Sequence, residues 1–175
     1  MSETISGDFL EFESGIVSPA LRAIVQYWQK IRGDRLMPGW SDLSPNQLGP
    51  HLKLLWFFNF DRHAGEFTAR LGSNRAMVGF RQSFRGTPLR DLHPPHIFEL
   101  CQAHMIKVVS DPAAYRCSGK LFKAGSQIVE GERIMLPLGS DYSHGDGVLG
   151  ATDFPMRPGT GPVELLVGDI RWFSI

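Results

Sequence analysis

The residues of this chain that invite chemistry are few, and each has a quieter reading beside it. His93-Pro94-Pro95-His96 sets two imidazoles three positions apart, with Cys101 a short way on. That is the start of a zinc set, which needs three or four convergent nitrogen and sulfur ligands. The two prolines instead fix a turn and open a helix, no further ligand follows, and histidines at a helix start ordinarily face solvent, so no metal is expected. His104 falls on the apolar face of that helix with Ile97, Leu100, Cys101 and Val108; a core histidine bonded to a backbone carbonyl is the simplest account. Asp141, His144 and Asp146 offer acid and base groups inside Asp141–Gly147, but a polar, Gly-rich hairpin loop explains them as turn residues. Gly72-Ser73-Asn74 and Gly145-Asp146-Gly147 lack the strand, glycine pattern and helix needed to cradle phosphate. There is no GxSxG elbow. No catalytic residue is assigned, and the chain is read as a binding module, not an enzyme.

The elements that must hold these residues follow from periodicity and punctuation. Residues 1–17 read as a mixed, acidic lead-in or short strand. Ser18-Pro19 opens a helix, since Ser caps well and Pro suits the first helical position. Leu21, Ile24, Val25, Trp28 and Ile31 recur at helical spacing and Gly33 ends it. Its apolar stripe suits either the chain's own sheet or a homodimer contact through helix 18–32. His51–Asp61 is a bounded apolar run that predicts a strand, Arg62–Gly65 a turn, and Phe67–Gly72 a second strand. Pro95 to about Val109 is a helix closed by Asp111-Pro112. Strands are expected over 115–122, 128–138 and 148–154, with a final extended stretch over 163–173. Two strands, a helical crossover and three or more strands predict an α+β fold, an antiparallel sheet with helices on one face.

Composition narrows the rest. The chain has 175 residues, with 18 basic and 18 acidic side chains. No basic stripe marks a nucleic-acid surface and no basic amphipathic helix marks a lipid surface, so neither nucleic acid nor membrane is an expected partner. Cys101 and Cys117 fit no disulfide framework. With no signal-like start and no membrane-length apolar run, a cytoplasmic location is expected.

At residue level the chain resembles a PAS-like family of alphaproteobacterial stand-alone PAS domain proteins. The resemblance rests on Tyr27-Trp28, Arg35-Leu36-Met37-Pro38, Leu43-Ser44-Pro45, the Leu52–Phe58 strand, Arg70-Leu71-Gly72-Ser73, Gly79, Arg85-Gly86-Thr87 with Leu92, and Leu136-Pro137-Leu138. Trp40 departs from it, where a basic residue is expected. It implies a five-stranded antiparallel PAS sheet over 51–175 with an N-terminal helical extension over 1–50, forming one domain. It also implies a sensory or regulatory role. PAS domains that hold haem often ligate it from the long helix, which gives His104 a second reading, though the core reading is preferred and the cofactor stays open. The short helical stretch Asn74–Phe84 carries no cysteine for a flavin adduct.

A cavity between the sheet and the short helices would be lined by Trp56, Phe58, Arg70, Leu71, Asn74, Met77, Phe80, His104, Tyr115 and Leu136. The expected function is a module that binds a small molecule or a partner protein and passes its signal to a separate chain. A filled-core interaction domain and a small enzyme of polyketide-cyclase type are the alternatives; the latter requires a carboxylate buried beside His104.

Overall fold

A computed structural model describes residues 4–73, 84–155 and 163–175. The first element is a helix, α1 (Phe9–Gly15), not the expected lead-in strand. Asp8 accounts for it by accepting a hydrogen bond from the Glu11 amide at 2.9 Å, and Phe9 and Phe12 share the buried face. Two apolar residues are too few to display a period, so the cap decides. Helix α2 (Pro19–Arg32) starts as its residues dictate: the Leu21 amide donates to Ser18 Oγ at 3.2 Å, and Gly33 ends it at φ 59°. Leu21, Ile24, Val25 and Trp28 are fully buried. The stripe that suggested a dimer contact is therefore covered by this chain's own sheet.

Two short 3₁₀ segments and α3 (Pro45–Leu48) lead to the sheet. Strand β1 (Leu55–Asp61) begins later than expected, because Gly49–Leu54 wind into a 3₁₀ helix. Next come β2 (Glu66–Gly72), α4 (Leu89–Leu92), α5 (Pro95–Ser110), β3 (Ala113–Ala124), β4 (Gln127–Leu138) and β5 (Gly147–Asp153). The closing stretch is two strands, β6 (Val163–Leu165) and β7 (Asp169–Ser174), separated at Gly168, where a Cβ would lie 2.1 Å from the Ser118 carbonyl oxygen.

All strand pairs are antiparallel, in the order β2-β1-β5-β4-β3-β6, with β7 also on β3. This is a PAS-like α+β fold, but among the described residues the sheet has seven strands where five were expected, because β6 and β7 add to β3, and helices cover both its faces, α4 and α5 on one and α1 and α2 on the other. Side-chain alternation splits the interior in two. Leu55, Phe57, Ile134, Leu136, Leu138 and Leu149 meet α1 and α2 on one face. Phe58, Tyr115, Met135, Val148 and Trp172 meet the α4–α5 side on the other. The outer edge of β2 is covered, since the Ala69 amide donates to the Thr87 carbonyl at 2.9 Å and the Gly86 amide to the Ala69 carbonyl at 2.7 Å.

Candidate functional site

Between the sheet and α5 lies a cavity of about 650 Å³. Trp56 and Phe58 of β1, Tyr115 and Phe122 of β3, Arg133 and Met135 of β4 and Thr152 of β5 form its sheet side. Leu92, His93, Ile97, Cys101 and His104 close it from the helices, and exposed Asp91, His96, Lys123 and Glu164 stand around it. The volume falls in the range of small-molecule sites, and a mostly apolar wall with few polar groups is their usual make-up.

Four of the residues expected from sequence line it: Trp56, Phe58, His104 and Tyr115. Leu136 does not. It packs with Ile134 and Leu138 against the α2 side, and alternation along β4 gives its place to Met135. Leu71 is 53% exposed. The β1–β2 pairing shifts by one residue between Phe57 and Phe58, and beyond that irregularity Leu71 no longer follows Phe67 and Ala69 inward. Arg70 is exposed as well, donating to Asn59 Oδ1 at 3.1 Å with its guanidinium 4.2 Å from the Trp40 ring centroid. Asn74, Met77 and Phe80 lie outside the described residues.

The polar wall is largely what sequence reading passed over. Arg133 Nε donates to Thr152 Oγ1 at 3.3 Å, and Trp56 Nε1 donates to the same oxygen at 3.0 Å. Trp56 reaches it because β5 carries Gly150 opposite; a Cβ there would stand 2.2 Å from the indole. Burial, with Arg133 pulling the other way, pushes the Cys101 thiol up to about 11, so it stays protonated near neutrality and is a poor nucleophile. Burial also pushes the Tyr115 phenol well above its usual range, with Cys117 adding to the effect. His104 is 8% exposed and packs against Tyr115 and Trp172, ring centroids 5.3 and 5.9 Å away. Lys107 Nζ lies 4.3 Å from the Trp172 centroid. His104 is thus one member of an aromatic group at the back of the cavity.

His93 is half-buried in the wall and does not face open solvent as a helix-start histidine would. Burial first, and the Arg133 charge second, lower its pKa to about 4. Above its ordinary pKa of about 6.5 the ring is neutral folded or unfolded; as pH falls toward 4 only the unfolded chain takes up the proton, and stability is lost. Acidification from pH 7 to 4.5 should therefore cost on the order of 2 kcal/mol through this residue, after allowing for its partial exposure. The drop in melting temperature between those pH values should be visibly smaller in His93→Asn than in the parent chain.

The remaining motifs resolve into structure. Asp141 accepts from the Ser143 and His144 amides at 2.9 and 2.7 Å and from His144 Nδ1 at 2.8 Å, and the His144 and Ser143 amides hold its carboxyl well below the usual range. Asp146 accepts from Trp40 Nε1 at 2.9 Å and the Ser140 amide at 3.0 Å. Trp40 fits because Gly147 offers no Cβ, which would fall 2.1 Å from the indole; this accounts for a tryptophan where a basic residue was expected. The buried carboxylate among the described residues is Glu132, on the opposite face of the sheet from His104. Among the described residues no three histidine, cysteine or acidic groups converge to hold a metal, and no helix is long and apolar enough to cross a membrane.

The strand order and the helical crossover over this cavity define a cavity-forming α+β domain. The chain belongs to the PAS domain family, whose model matches residues 16–153. The match takes in α2 through β5 and leaves out α1, β6 and β7. No curated protein matches the chain. Family membership makes it, in the general sense, a sensory or regulatory module.

Proposed function

We propose that this PAS domain is a sensor that holds a small organic molecule, without transforming it, in the cavity between its sheet and α5. The carrying observation is the cavity itself, about 650 Å³ with an aromatic floor and a polar group centred on Arg133 and Thr152. A filled-core interaction domain has no use for such a space, and among the described residues the acidic groups near the cavity do not suit the polyketide-cyclase reading, since Asp91 and Glu164 are exposed and Glu132 faces the other way.

Signal output is a shift in population, which requires the ligand to favour one of two arrangements. The register supports a route across the sheet. Arg133 pairs with Thr152 on the cavity face; their neighbours Glu132 and Asp153 pair on the other face, where they bind the start of α2. Movement of β4 against β5 is then felt at α2, which a separate signalling protein reads.

Native mass spectrometry of freshly purified protein is the direct test. A bound species of a few hundred daltons, lost on acid denaturation and absent from a Met135→Trp variant that fills the cavity, is the expected result. A chain that carries nothing and takes up no member of a diverse small-molecule library, by shifts in melting temperature, would overturn the reading.

A further inference from the structure

The cavity holds a permanent cation with little to balance it. Arg133 projects from β4 into the apolar space beside Met135 and Phe122, its guanidinium carbon 5.3 Å from the Phe122 centroid. Its Nε is committed to Thr152 Oγ1. That oxygen also accepts from Trp56, so it is already shared between two donors. Among the described residues, no carboxylate lies within ion-pair distance of Arg133. The acidic side chains that border the cavity, Asp91 and Glu164, are exposed. Arg133 lines the cavity together with His93, Cys101 and Tyr115, which come from three different segments and all feel its charge. The N-terminal end of α5 borders the same space through Pro94, His96 and Ile97, and the positive end of its dipole adds to the field.

A half-buried cation set against largely apolar walls, with no carboxylate in contact among the described residues, is stabilised by a counter-charge. A planar guanidinium with its terminal nitrogens uncommitted is the group best suited to a carboxylate, which it grips with two parallel hydrogen bonds. We propose that the ligand is a small organic acid, its carboxylate held by the Arg133 guanidinium at the Thr152 pair and its aromatic or aliphatic body laid along Trp56, Phe58 and Met135. Resting on the reading of the cavity as a sensor site, this assigns the chemical class of its ligand. Trp56 has a double part, presenting its ring face to the body of the acid while its Nε1 fixes the Thr152 hydroxyl that orients Arg133.

The test uses a matched pair of probes, 2-naphthoate and 2-naphthamide, titrated calorimetrically into the full chain at pH 7.5 and low salt. The two share shape and apolar area and differ in charge. Naphthoate should bind at least tenfold tighter than naphthamide, the difference a charge-assisted pair supplies. In Arg133→Met, which keeps the length of the side chain, that preference should collapse to within about twofold while naphthamide still binds. Should Arg133→Met not fold, Arg133→Lys keeps the charge without the fork and should retain only part of the preference. Equal binding of acid and amide by the parent chain, or a preference that survives Arg133→Met, would overturn the organic-acid assignment and leave the cavity reading standing. Binding of neither probe, with an inert library as well, would remove both.

Discussion

Trp28→Ala should lower the free energy of unfolding by about 3–5 kcal/mol, the range for removing a buried tryptophan. Trp28 is fully buried at the centre of the face of α2 that lies on the sheet. Its Nε1 donates to the Pro137 carbonyl at 3.0 Å, which ties the helix to β4. Its ring stacks on Phe9 with centroids 5.6 Å apart, and the Arg32 guanidinium lies 5.1 Å from it. Truncation removes the apolar contacts, leaves a void that helix and sheet cannot both close, strips the Pro137 carbonyl of its donor, and takes from Phe9 the surface that helps hold α1. Trp28→Phe keeps much of the volume and loses the hydrogen bond, so a smaller cost of about 1–2 kcal/mol is expected. Urea unfolding followed by circular dichroism gives both values, with an unchanged slope marking a change in stability and not in compactness. A loss under about 1 kcal/mol for Trp28→Ala would mean that α2 does not pack on the sheet as described.

The same helix shows what could be read from the chain in advance. Ser18-Pro19, the stripe Leu21–Ile31 and Gly33 carry cap, period and stop within sixteen residues, so its bounds were legible. Its target was not, because an apolar stripe is equally suited to a sheet and to a second subunit. The strands β1 to β5 were legible from bounded apolar runs and the intervening turns. What periodicity could not say was which face of β4 looks into the cavity. Ile134, Leu136 and Leu138 are the more apolar set, yet they pack under α2; the set that lines the cavity is Arg133 and Met135. A period of two divides a strand into faces without naming them. Leu71 failed for a related reason, a one-residue irregularity in pairing that no local pattern announces. Thr152 and Gly150 gain their meaning from Trp56, nearly a hundred residues earlier, and sequence spacing cannot supply that contact.

Glu132→Ala should cost a further comparable amount, about 3–5 kcal/mol, by a different route. The Glu132 side chain is 7% exposed and accepts four hydrogen bonds from three donors: the Val17 amide at 3.2 and 3.1 Å to its two oxygens, the Ser18 amide at 2.8 Å, and Arg116 Nε at 2.6 Å. Removing it leaves the Arg116 charge, itself 12% exposed, and two amides without this acceptor. Ser18 also caps α2 and donates its hydroxyl to Asp153 Oδ2 at 2.7 Å, so the start of the helix is held by adjacent residues on β4 and β5. The damage should accordingly be local before it is global. Hydrogen exchange of the Val17 to Leu21 amides should accelerate well beyond that of β3 and β4 amides, which report the global unfolding. Glu132→Gln keeps an acceptor and should lose less than half as much. Arg116→Met in the Glu132→Ala background should recover part of the loss, because the uncompensated charge goes with it. Uniform acceleration across all these amides, with no recovery in the double variant, would show that Glu132 contributes to the core as a whole and not to the seating of α2. Arg133 and Thr152 occupy the next register position on the opposite face, so the same exchange measurement, repeated with Arg133→Met, checks the proposed route between the cavity and α2: protection at Val17 and Ser18 should change if the two faces are coupled.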